Sequence, residues 1–367
     1  MLKDCRTVYV GLDVHKSSIR MAALRDGELL HERTFPYDAE PVIDKLTAWP
    51  LVKVCQEAGP TGYGLHRSLL KAGIESSVIA PGLIPTRPGD RIKTDRRDAR
   101  RLAGLFAADL LTEVHVPEPG QEALRDLVRA REDARLDRMR ARHRLGKFLL
   151  RHERSMPTTC WGPTRRAWLG RQSFELDPRQ QAFDDYLFAV DLVDRRIEAL
   201  ESSLKEASLE SEHRELIARL RCFRGIDTLT AIGLVAEVGD FGRFDTASRF
   251  MSYVGLVPSE HSSGERRRQG SITKAGSSHA RRLLVEAAWN SRRRPKVSYE
   301  LERRQRGQEP WVSEHAWRAQ KRLYQRWQRM NGRGKPPQKT VVACARELSG
   351  FVWAVATAQP LKNTGDR

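Results

Sequence analysis

An Asp-Gly pair at residues 26–27 separates two strand-like runs, "SIRMAALR" and "ELLHERTF". Asp-Gly accepts positive φ at both central positions of a tight turn, so the pair predicts a β-hairpin. A third strand-like run, "TVYVGLDVH", precedes them. The pattern then changes to alternation: a helix in "DAEPVIDKLTAW", a strand in "LVKVCQEAG" ending near Glu57, a helix in "GYGLHRSLLKAG" with a glycine stop at Gly73, a strand in "ESSVIAPG", and a helix in "TDRRDARRLAGLFAADL" with Thr94 as N-cap. A meander followed by strand–helix alternation restricts this part of the chain to an α/β layout with a mixed sheet.

That element order is the layout of a ribonuclease-H-like domain, expected over residues 1–120. Residues 121–215 read as a helical arm. A long charged helix runs from Glu122 to about Glu153, a Pro- and Trp-containing bend spans Met156 to Gly170, and a second long helix is expected from Pro178 to Cys222. Tyr186, Val190, Val193, Ile197, Leu200 and Leu204 recur in steps of 4, 3, 4, 3, 4, a coiled-coil seam. The pair forms either a dimerisation stalk or a hairpin folded within the chain. Residues 216–360 read as a mostly α domain. It opens on "RCFRGIDTLTAIGLVAEVGDFGRF", similar to a helix-hairpin-helix with its turn at Gly225 and a helix from Thr228 to Val238. Asp227 stands where a second glycine is usual; an acid there weakens a phosphate contact, so a purely structural hairpin is an equal alternative. Residues 361–367 are expected to be a disordered tail.

The formal net charge is +18, and the span His261–Thr340 holds 21 Lys/Arg against 6 Asp/Glu. Such basicity points to a polyanionic partner, foremost nucleic acid. The five cysteines are scattered without a CxxC pair, against a disulfide framework or zinc knuckle and in keeping with a reducing cytoplasm. No apolar run is long enough for a membrane span, and the N-terminus has no signal-peptide pattern.

Four acids stand out. Asp13 and Glu57 close strand-like segments, and Asp95 and Asp98 share one helix face. Clustered carboxylates repel one another unless cations neutralise them. Two Mg²⁺ or Mn²⁺ ions bridging a phosphate suit these hard oxygen ligands better than zinc does. Taken singly, each acid is more simply a solvated strand end or a helix-start charge. Arg91, Lys93, Arg96, Arg97, Arg100 and Arg101 surround the last pair and either meet phosphates or balance the acids. "GLDVHKSS" also resembles the first phosphate loop of actin-like ATPases, but no second phosphate loop or adenosine motif follows.

The segment Tyr253–Arg282, "YVGLVPSEHSSGERRRQGSITKAGSSHARR", reads as a loop presenting Ser262 and Ser263. Arg266, Arg267, Arg268, Lys274, Arg281 and Arg282 are its candidate nucleic-acid contacts, and His279 is a further candidate. By composition alone such a loop binds phosphate more often than it supplies a nucleophile. Downstream, Trp289, Trp311, Trp317, Tyr324 and Trp327 lie among many cations. They suit base stacking, or more simply the core of a helical subdomain with the arginines outside.

The acids in "GLDVHKSS", "QEAGPTGYGLHRSL" and "KTDRRDARRLA", followed by "GLVPSEHSSGERRRQGSITKAGSSHARRLLVEAAW", resemble the DEDD-type insertion-sequence transposases, which are bridge-RNA-guided serine recombinases. The resemblance reaches to about residue 290. It implies a RuvC-like N-terminal domain, a coiled-coil linker and a C-terminal transposase domain. It implies that Asp13, Glu57, Asp95 and Asp98 bind Mg²⁺ and are catalytic. It implies that Ser263 attacks DNA to form a phosphoserine intermediate, with Ser262 adjacent. Donor and target double-stranded DNA, a structured guide RNA and a second or further copies of the chain are the implied partners, in a bacterial cytoplasm at the nucleoid. Acids and serine then come together from distant parts of one chain or from different subunits. Ser277 departs from the family's Lys-x-Gly-Asn pattern. Two other readings stand beside this one: a Mg²⁺-dependent nuclease or junction resolvase without a covalent intermediate, and a non-catalytic nucleic-acid-binding protein.

Overall fold

A computed structural model describes residues 7–85, 95–263 and 266–358, with the backbone alone at 95–96, 261–263 and 266–268. Thr94, Arg91, Lys93 and the tail 361–367 lie outside the described residues. The chain divides into two compact units at Pro117–Glu118.

In the first unit, β1 (Val8–Val14), β2 (Ser18–Arg25) and β3 (Glu28–Pro36) form an antiparallel meander. Asp26 and Gly27 both have positive φ, 52° and 84°, as the turn requires. β4 (Val52–Glu57) and β5 (Glu75–Ile79) then add parallel strands on the other side of β1, giving the order β3-β2-β1-β4-β5. Helices α1 (Ala39–Thr47) and α2 (Gly64–Lys71) contribute Val42, Leu46, Leu65 and Leu69 to a core with Val8, Val10, Leu12 and Val54. This mixed α/β sheet is compatible with a ribonuclease-H-like domain.

Helix α3 (Asp95–Ala107) packs on the opposite face. A Cβ on Gly11 would lie 2.6 Å from the Ala103 amide nitrogen and 2.9 Å from Leu102 Cβ. Glycine at this position therefore sets how closely the helix can approach β1. The Arg100 guanidinium forks onto Glu32 of β3 with two 2.8 Å hydrogen bonds, tying helix to sheet.

The second unit is helical apart from one hairpin. Helices α4 (Pro119–Arg151) and α6 (Asp177–Glu210) run antiparallel: Arg131 Nε donates to Glu201 at 3.0 Å, and Arg142 to Asp194 at 3.0 Å. Val190, Ile197 and Leu204 of the periodic seam are buried within this one chain. A short helix, α5 (Pro163–Leu169), and the rings of Phe148, Phe174 and Phe183 pack the far end of the pair.

The second long helix does not continue to Cys222. It stops at Glu210, where Ser211 turns extended and its Oγ accepts from the His213 amide; α7 (Arg214–Leu220) follows. Serine competes for backbone groups in this way and favours helix ends.

Helices α8 (Thr228–Val238) and α9 (Ala247–Tyr253) precede the hairpin β6 (Pro258–Ser263) and β7 (Arg266–Ile272). The serine segment is therefore paired strand, not an open loop: Ser262 lies opposite Arg267 and Ser263 opposite Arg266. Cross-strand hydrogen bonding outweighs its low content of core formers. Helices α10 (Ser278–Ala288), α11 (Tyr299–Gln305), α12 (Pro310–Gly332) and α13 (Pro337–Ala356) complete the unit. Trp327 is buried against Trp289, with ring centroids 5.7 Å apart, and Trp311 packs on the same core. Trp317 is half-buried, with the Lys321 ammonium 5.8 Å from its ring. Among the described residues no helix is long and apolar enough to cross a membrane.

Candidate functional site

Two polar constellations emerge, one in each unit. The first follows from sheet register. β1 and β4 are parallel, with Gly11 opposite Cys55 and Leu12 opposite Gln56. Continuing that register by one residue sets Asp13 beside Glu57. The face is fixed two residues earlier: Gly11 abuts α3, and Cys55 Sγ reaches the Leu102 carbonyl at 3.8 Å. Alternation puts Asp13 and Glu57 on that same face.

Helix α3 runs antiparallel to β1. Phe106 meets Tyr9, with centroids 5.9 Å apart, while Ala99, Leu102 and Ala103 meet Gly11. One turn further toward its start, the helix carries Asp98 and then Asp95 at the level of Asp13 and Glu57. The parallel pairing and the helix direction thus bring the elements bearing all four acids to one end of the sheet. The side chain of Asp95 lies outside the described residues. Among the described residues no three His, Cys, Asp or Glu side chains are gathered closely enough to hold an ion. The donor type, carboxylate oxygens on elements that meet at one end of the sheet, fits a hard divalent cation.

The surroundings are charged. Asp13 Oδ2 meets His15 Nε2 at 3.1 Å. Arg20 lies directly across the β1–β2 ladder from Asp13, donates to Thr34 Oγ1 at 2.6 Å and pairs with Glu32 at 3.3 Å. Cys55 is a buried thiol whose pKa is pushed up, first by burial and then by the Glu57 carboxylate. Arg100 is committed to Glu32 and Arg101 to the Pro85 carbonyl, so two of the arginines around the acid pair serve to dock α3. His15 lies close to Asp13 in sequence, but spacing alone does not mark it as the partner of that carboxylate. The hairpin register places Arg20 across the ladder from Asp13.

The second constellation lies beneath the serine hairpin. The Gly255–Pro258 stretch enters it and Ile272–Ala275 leaves it, joined by Thr273 N donating to Val257 O at 2.9 Å and Lys274 N to Gly255 O at 3.1 Å. Lys274 is exposed and holds φ 57°; Gly276 follows at φ 59°, with a Cβ there colliding with the Tyr253 carbonyl. Arg281 donates to Val254 O at 3.1 Å and Ala275 O at 2.8 Å, clamping both ends of the hairpin. Arg282 binds Glu132 at 2.7 Å and Glu286 at 2.8 Å. Both arginines are thus engaged inside the unit. The side chains of Ser263, Arg266, Arg267 and Arg268 lie outside the described residues.

Glu237 sits in the last turn of apolar α8 with its side chain 4% exposed. It accepts from Ser277 Oγ at 2.9 Å and Arg129 Nε at 3.1 Å, and His279 Nδ1 lies 3.4 Å away. Burial alone would raise its pKa. The hydrogen bonds from His279, Arg129 and Ser277 outweigh it and hold the carboxyl down at about 2. Ser277 also caps α10 by accepting from the Ala280 amide at 3.1 Å. The position where Asn was expected is therefore filled by a residue that caps one helix and grips another. Asp227 has a similar duty, capping α8 through the Thr230 amide at 2.8 Å. Gly225 beside it packs against the end of α10, with a Cβ there colliding with the Ala287 carbonyl, so the geometry of this turn favours a structural hairpin.

Comparison with known proteins covers both regions. Residues 10–153 match the DEDD transposase model of IS110 elements, and residues 217–302 match the model described as the transposase IS116/IS110/IS902 family. The y4qE protein of Sinorhizobium fredii, which carries a transposase name, is 39% identical over 96% of this chain and 89% of its own length. The transposase for insertion sequence element IS1533 of Leptospira borgpetersenii is 35% identical over 90% of this chain and 98% of its own. The transposase for insertion sequence element IS1328 of Yersinia enterocolitica is 26% identical over 76% and 82%.

Proposed function

The chain belongs to the DEDD insertion-sequence transposases of the IS110 type, enzymes that cut and rejoin DNA, and on that premise we propose a covalent phosphoserine route through Ser263. The observation that carries the acidic half is the register that sets Asp13 beside Glu57, under a helix beginning with Asp95 and Asp98. These four carboxylates are the ligands of Mg²⁺ or Mn²⁺ in this reading. When bound, the cation polarises the scissile phosphate and lowers the pKa of the attacking oxygen. The two parallel strands fix the spacing of Asp13 and Glu57, His15 orients the Asp13 carboxylate, and the Arg100–Glu32 fork holds the acid-bearing helix in place.

Ser263 Oγ attacks phosphorus. One P–O bond forms as another breaks, the serine proton departs and the leaving DNA oxygen is protonated. The phosphodiester energy is retained for rejoining. The reading requires acids and serine to act on one phosphate, and strand exchange requires more than one copy of the chain. A structured guide RNA that selects donor and target by base pairing, a coiled-coil role for the α4–α6 pair, and a place at the bacterial nucleoid rest on the family resemblance.

A second reading is hydrolysis at the acids with the hairpin only binding, which the DEDD match by itself accommodates. Incubating the protein with Mg²⁺, guide RNA and target DNA, then resolving protein–DNA adducts under denaturing conditions, separates the two. The phosphoserine route gives an adduct lost in Ser263→Ala. Nicked ends without adduct favour hydrolysis. An adduct retained in Ser263→Ala and lost in Ser262→Ala moves the nucleophile by one residue. No reaction under any condition favours a binding protein.

A further inference from the structure

A groove of about 650 Å³ runs between the root of the β6–β7 hairpin and helix α13. Its α13 side is a single stripe: Lys339, Val342, Ala343 and Arg346, spaced i, i+3, i+4 and i+7. Two half-buried apolar residues form the floor, and an exposed cation stands at each end, about 10 Å apart along the axis. The opposite wall is the hairpin itself, with Leu256, Pro258 and Ile272 apolar and Gln269 and Ser271 polar. Arg326 adds a third cation, shared with Glu347 at 3.0 Å, and among the described residues no acidic side chain lines the groove.

A volume of this size, mostly apolar, with a few amide and hydroxyl groups, is what a flat organic ring requires. Cations at both ends of the floor require that ring to belong to a polyanion. A nucleotide within a strand meets both conditions: its base covers Val342 and Ala343, and its flanking phosphates meet Lys339 and Arg346. We propose that this groove holds an unstacked nucleotide of a single DNA strand, an inference that rests on the DNA-processing reading above. DNA is favoured because strand β7 is both the groove wall and the pairing partner of the strand that carries Ser263. A strand laid along the hairpin passes from groove to serine, so the groove positions the strand that is attacked.

The test uses the full chain and a short single-stranded DNA bearing 5-iodouracil, with photocrosslinks mapped by mass spectrometry. Crosslinks are expected on the peptides containing Ile272 and Val342. Lys339→Ala together with Arg346→Ala should lower the slope of log affinity against log salt by roughly 1.4, two phosphate contacts to a single strand. Ala343→Trp, which fills the floor, should weaken binding by about tenfold or more. The two cation variants alter exposed side chains and should melt with the wild type, which keeps the test independent of folding. Strand binding and adduct formation unchanged by all three substitutions would overturn the groove alone. Failure of the wild type to bind any nucleic acid would overturn both the groove and the functional reading. Preferential capture of RNA of the same sequence, or displacement of the DNA by polyglutamate with crosslinks elsewhere, would also overturn the groove.

Discussion

The two carboxylate-bearing sites of this chain are built on opposite rules. Around Glu237 the buried acid has its own donors: Arg129, Ser277 and His279 surround it, and Arg282 and Arg135 hold the neighbouring Glu132. At the end of the first sheet, Asp13 and Glu57 are set beside one another, like charge against like, under a helix that opens with two more acids. A buried, donor-rich carboxylate is costly to remove, because its donors are left without their acceptor. Juxtaposed carboxylates cost stability and are retained where a cation or a reacting phosphate offsets them. The contrast separates a structural acid from a candidate catalytic one when both occur in equally unremarkable stretches of sequence.

Substitutions at the two sites should therefore act on different observables. Asp13→Asn should lower DNA strand cleavage by at least about a hundredfold. Because it relieves repulsion, it should leave the melting temperature of the metal-free protein unchanged or raised; a large loss of stability would place Asp13 with Glu237 as a structural acid. Glu237→Ala should do the reverse, costing about 1–3 kcal/mol in denaturant unfolding by removing the buried acceptor of Ser277, Arg129 and His279. Cleavage should be lost only in proportion to unfolded protein.

Acid sharpens the comparison next. His315 is 2% exposed among Phe223, Trp311 and Phe351, and burial pushes its pKa down to about 4. The unfolded chain takes up a proton below about 6.5 that folded His315 refuses. Its contribution is therefore intact above that pH and is lost as pH falls toward 4, by about 3 kcal/mol. Glu237 continues the loss from 4.5 down to about 2, because its folded pKa lies below its unfolded one. Urea unfolding at pH 7 and pH 4.5 should show the first step, and His315→Leu should flatten it. The last comparison is Gly11→Ala. A methyl group against α3 costs about 1–3 kcal/mol of overpacking, and by lifting the acid-bearing helix it should impair cleavage more than stability.

Much of the first unit was legible in the sequence because its signals are local. Asp26-Gly27 encodes its own turn, alternation encodes the strands, and Gly73 encodes a helix stop at φ 77°. The long helix breaks at Ser211 because one serine can redirect a backbone, and a seam of apolar residues carries no mark of that. The serine segment read as a loop because its pairing partner is another polar strand; cross-strand hydrogen bonds leave no hydrophobic period to detect.

By itself, then, the sequence determined the order of elements in the first unit, the acids at the strand ends and the basic C-terminal span, all properties of residue type and spacing. Only the tertiary structure decided which charges meet. It set Asp13 next to Glu57 through parallel pairing, gave Arg281 and Arg282 to the unit's own backbone and acids, and made Ser277 both a cap and a donor to Glu237. Periodicity is fixed by neighbours along the chain. The partner of a charge is fixed by whatever folding brings within about 3 Å of it, from any distance in sequence.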